Sequence, residues 1–94
     1  MTVDPAGGDG GTAAHEARLR ADAEVLTGTA RRLLERAAAL EGRPGVPDWC
    51  VPTLRRQAEC CRAAAADLAE AAAVLGRHAA RAVDGSPAVA GRVP

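Results

Sequence analysis

Apolar and small residues recur along this chain in two regular runs separated by one turn. In the first run Leu19, Ala23, Leu26, Ala30, Leu33, Ala37 and Leu40 are spaced 4, 3, 4, 3, 4, 3. That is the heptad of a coiled-coil helix, with Leu at every d position and Ala at every a. Val51, Leu54, Ala58, Cys61, Ala65, Leu68, Ala72, Leu75, Ala79 and Ala82 repeat it, with small residues at a from Ala58 onward and mostly Leu at d. The intervening Gly42-Arg43-Pro44-Gly45-Val46-Pro47-Asp48 is turn chemistry, with a Gly at the C′ position and Asp48 as a candidate N-cap. The pattern predicts an all-α antiparallel two-helix hairpin, with a helix over 12–41, a turn over 42–48 and a helix over 49–83. Residues 1–11, rich in Gly, Pro and Asp, predict a disordered tail. Asp84-Gly85-Ser86-Pro87 predicts the end of the second helix and a loose tail over 84–94.

In an antiparallel pair, a of one helix faces d of the other. Pairing positions whose numbers sum to 91 sets Leu40 against Val51, Ala37 against Leu54, Leu33 against Ala58 and Ala30 against Cys61. The same sum sets Leu26 against Ala65, Ala23 against Leu68 and Leu19 against Ala72. Nearly every layer then holds one large and one small side chain, which lets the backbones approach to the close end of the usual ~8–10 Å range. A slip of seven residues preserves the pattern but leaves the loop the wrong length, so turn and heptad agree on one alignment.

More apolar surface remains than one partner helix covers. Alanines spread around the second helix together with Val74, and Val25 and Leu34 lie outside the seam of the first. These residues predict a second hairpin docking to form a four-helix bundle, as a homodimer or a heterodimer. The plainer alternative is that the alanines reflect genome composition and helix propensity. Trp49 has two readings as well, packing on Val46 and the Leu40–Val51 layer, or meeting a partner at an exposed tip.

Composition narrows the partners. Ninety-four residues make a single domain with a small core. Alanine fills 24 positions, every basic residue is Arg, and Lys is absent, a bias expected of a high-GC bacterial genome. Twelve Arg balance twelve Asp plus Glu, and no arginine stripe with interleaved aromatics appears, which argues against nucleic acid. No stretch approaches the ~18 apolar residues of a membrane span, and the opening residues do not resemble an export signal. Cys50, Cys60 and Cys61 have no metal-ligand spacing and are read as small apolar filler in a reducing compartment. His15 and His78 both fall on g positions near Glu16 at the open end of the hairpin, where a metal or acid–base pair is conceivable. They lack a third ligand and a cavity. Glu16 with Arg20, Arg18 with Asp22 and Arg55 with Glu59 are read as solvated i,i+4 pairs. No catalytic residue, cofactor site, metal site or small-molecule substrate is expected.

Two long helices, a central turn bearing the only tryptophan, the opening Thr2-Val3-Asp4-Pro5 and the spacing of Trp49, Leu54, Leu68 and Leu75 resemble the WXG-type ESX proteins. They also resemble the ESX-secretion-associated small proteins of type VII secretion. The likeness spans residues 12–83, and it implies a hairpin that pairs with a second hairpin and is exported as a folded dimer without a cleaved signal peptide. The chain reads Trp49-Cys50-Val51 where the family has Trp-x-Gly, and it has no tyrosine for the family's Tyr-x-x-x-Asp/Glu export signal. Three readings stand: a diverged member, the signal-less half of a heterodimer, or an unrelated hairpin that shares the architecture. The alternative outside secretion is a cytosolic helical adaptor or small subunit bound to a larger protein.

Overall fold

The computed structural model describes the backbone of residues 11–92 and the side chains of residues 11–82. Within it the chain is two helices, α1 (Thr12–Leu40) and α2 (Cys50–Arg92), packed against each other as an antiparallel hairpin. The predicted tail over residues 1–10 lies outside the described residues, as do residues 93 and 94. The rod measures 75 × 33 × 14 Å, and the smallest dimension is that of a single layer of helix.

α1 ends at Leu40, one residue before the predicted boundary, for a backbone reason. Glu41 leaves the helix with φ −60° and ψ 128°, and Gly42 follows at φ +74°. Gly45 reverses the chain again at φ +85°. Side chains other than those of Asn and Asp rarely enter this left-handed region. Gly42→Ala and Gly45→Ala should each destabilise the hairpin by about 1–2 kcal/mol, read as a lowered urea midpoint in circular dichroism. An unchanged midpoint would show that the turn does not set the hairpin.

α2 differs from expectation at both ends. The Thr53 N–H donates to the Trp49 carbonyl at 3.0 Å, which makes Trp49 rather than Asp48 the N-cap. Pro52 then sits at the third helical position, where a missing N–H has no partner to lose. At the other end the backbone stays helical to Arg92, so the loose tail predicted over 84–94 is corrected for residues 84–92. A helix already nucleated grows one hydrogen bond per residue. Gly85 and Pro87 therefore act as local costs of about 1 and about 3 kcal/mol rather than as a stop. With 29 residues in α1 and 43 in α2, the helices run about 44 and 65 Å. In the register above, residue 79 lies opposite Thr12, so α2 continues past the first residue of α1.

Two contacts locate the register. An a position faces an e position when the numbers sum to 92, and Glu16 lies over Gly76, its Oε2 only 2.9 Å from where a Cβ would stand. An e position faces an e position at a sum of 96, and Arg55 forms an ion pair with Glu41. Arg55 thus reaches across the hairpin instead of along its helix to Glu59. A slip of seven residues would separate both pairs.

Candidate interaction surface

The core is made of alanine. Ala23, Ala30 and Ala37 of α1 and Ala58, Ala65 and Ala72 of α2 are the buried apolar residues, all at a positions, with Ala72 at 0% exposure. A methyl group reaches barely beyond the helix surface, so these six close the seam fully only where the helices run close together. Every seam leucine is instead half-buried: Leu19, Leu26, Leu33 and Leu40 on α1, and Leu54, Leu68 and Leu75 on α2. Cys61, at the d position between Leu54 and Leu68, is half-buried too. Leu19, Leu26, Leu33, Leu54 and Leu68 each lie over an alanine of the other helix, and their outer parts stay in water because the layer has no third element.

Heptad geometry sorts the slab into two faces. Positions a, b and e of both helices lie on one side. There Arg20, Glu24, Thr27 and Arg62 rim an open groove floored by Ala23, Ala65, Ala66 and Ala69. Positions d, g and c lie on the other side. The half-buried leucines run down its middle, with Val25 (63% exposed) and Val74 (48%) beside them at c positions. Leu34, at an e position, is exposed on the groove side at 36%. The four residues expected outside the seam, Val25, Leu34, Trp49 and Val74, are the large apolar side chains exposed among the described residues. They do not form one patch: Val25 and Val74 share the leucine face, Leu34 is on its back, and Trp49 is at the tip.

Trp49 is 66% exposed, which corrects the reading that buries it on Val46 and the Leu40–Val51 layer. As the N-cap it points out of the first turn of α2, before the seam begins. The cysteines divide as well. Cys50 and Cys61 are half-buried, but Cys60 is exposed, because it sits at c, one residue off the seam, and so departs from the filler reading. Glu16 also differs from expectation. Its Oε2 accepts from Arg20 Nε at 3.1 Å and Nη2 at 3.0 Å, the predicted i,i+4 pair. The glutamate side chain is only a quarter exposed, however, because it occupies an a position and folds over Gly76. The heptad could have revealed this, since extending the alanine row one repeat back from Ala23 lands on Glu16.

His15 and His78 are exposed. No group of three or more His, Cys, Asp or Glu that could hold a metal ion occurs among the described residues. No described helix is long and apolar enough to cross a membrane. What this arrangement offers chemically is apolar area in a line about 44 Å long, with small residues, Thr29, Ala64 and Ala71, at the flanking g positions. Compared with protein-family models, curated proteins and solved structures, the chain matches none.

Proposed function

We propose that this chain is a non-enzymatic protein–protein interaction module whose leucine face receives another helical surface. The observation carrying this reading is that all seven seam leucines stay partly exposed along one side of a one-layer slab. Each would gain apolar burial, at about 25 cal/mol per Å², only when a second layer covers it. A four-helix bundle made with a second hairpin supplies that layer with the same ridge-and-groove packing as the seam.

The biological setting we propose is that of a type VII secretion substrate or its dimer partner, a cytoplasmic hairpin exported folded. Its support is the resemblance over residues 12–83 together with the unfinished face. A cytosolic adaptor or small subunit on a larger protein is the second reading, favoured by the exposed Trp49, since tryptophan at a rigid tip is a frequent anchor of protein interfaces. Fractionating host cultures and probing for the full-length chain separates them. The secretion reading expects it in the culture filtrate of intact cells, purifying with a second small helical protein. Retention in the cells on a larger complex would overturn export in favour of the adaptor.

A further inference from the structure

We propose that the occupant of the leucine face is a second copy of this chain, docked face to face about a two-fold axis passing between Thr29 and Ala64. The proposal rests on the interaction-module reading and adds the identity and orientation of the partner. Three observations lead to it.

The first is the charge pattern of the g row on α1, where Asp22, Thr29 and Arg36 occupy successive heptads. Asp22 and Arg36 lie seven residues to either side of Thr29. A two-fold axis perpendicular to the rod sets α1 of one copy antiparallel on α1 of the other. It brings Asp22 to Arg36 of the second copy, and Arg36 to Asp22 of that copy. An isologous interface requires this reciprocity, in which i meets j and j meets i. Among the described residues neither side chain has an ion pair within its own hairpin, and both are exposed. The same operation sends the other arginines of this edge to apolar positions, Arg32 beside Leu26 and Arg18 beside Leu40, so like charges are kept apart.

The second is steric. Thr29 and Ala64 are the g–g pair at the middle of the face, both half-buried, and the remaining g row of α2 reads Gln57, Ala64, Ala71 without charge. Small residues at the centre let the layers approach, and leucines on either side supply knobs for the small g positions of the other copy. One face therefore carries both knobs and holes, and can fit itself.

The third is area. A face about 44 Å long and two helices wide, about 20 Å, offers on the order of 900 Å² per copy, close to the roughly 800 Å² per partner of a stable specific interface. The chain also carries no net charge, so two copies meet without long-range repulsion.

The test is the mass of the full-length chain by light scattering over a hundredfold dilution, with helicity followed in parallel. The expected result is a particle of about 19 kDa, twice the 9.5 kDa chain, that dissociates on dilution. Asp22→Arg, a surface change, should weaken association about tenfold by setting arginine against arginine twice, and adding Arg36→Asp should restore it. A dimer indifferent to Asp22→Arg, or not restored by the swap, overturns the two-fold arrangement. A poorly helical monomer overturns the second copy while the interaction-module reading stands, since the face then awaits a different hairpin. A fully helical monomer that unfolds cooperatively at every concentration overturns both.

Discussion

Replacing Ala72 by leucine should destabilise the hairpin by about 1–3 kcal/mol, although the substitution adds apolar surface and preserves helix propensity. Ala72 is completely buried, and in the register it lies under Leu19. The added isobutyl group has no space between backbones this close, so the helices must separate or the side chain must take a strained rotamer. Separation would also loosen the neighbouring layers at Ala23 and Ala65. The same change at Ala63, exposed at an f position, should shift stability by no more than about 0.5 kcal/mol. Urea unfolding followed by circular dichroism measures both. Equal effects at the two sites would mean that the seam is not held by the smallness of its alanines.

Leu26→Ala and Leu68→Ala make the complementary pair, and their effect should depend on association. In the assembled protein each should cost about 2–5 kcal/mol, the usual range for a buried leucine. In dilute, unassociated hairpin the cost should be smaller, because each side chain is then still partly exposed. The leucines thus serve two surfaces, the base closing the hairpin seam and the tip closing the assembly. A full cost at all dilutions would place them in a core complete within one chain.

Much of this architecture was legible in the heptads. Spacings of three and four, interrupted by two prolines and two glycines, specify both helices, the turn and the register, because a period-7 stripe and a loop of fixed length admit one antiparallel alignment. The alternation of Leu and Ala also foretold a close seam. Less legible was which of the two row types would be buried. A conventional expectation puts leucine inside, yet in a two-helix slab only side chains short enough to stay between the helices are fully enclosed, and those are the alanines. The end of α2 was misread for a related reason. Asp84-Gly85-Ser86-Pro87 holds poor helix formers, but their penalties, the proline ring's clash with the carbonyl four residues back included, are finite costs on a growing helix and not an absolute stop. The packed reading of Trp49 fails because the helix starts one residue later than the Asp48 cap implies, leaving the indole outside the first packed layer. Within the interaction surface, Val25 and Val74 follow from heptad position, whereas the matching of Asp22 with Arg36 appears only once the slab is sorted into faces.

The native chain carries its own reporter of the central claim. Cys60 is exposed at a c position on the leucine face, about one helical turn from the proposed two-fold axis. The rate at which its thiol reacts with a maleimide, resolved from Cys50 and Cys61 by peptide mass spectrometry, should be compared at high and low protein concentration. Coverage of the leucine face by a second copy predicts slow labelling of Cys60 in concentrated protein and at least about tenfold faster labelling on dilution, while a cysteine introduced by Ala63→Cys, at an exposed f position off that face, changes little. Equal Cys60 rates at concentrations where the chain is dimeric and where it is monomeric would contradict the account, and would place the interface elsewhere.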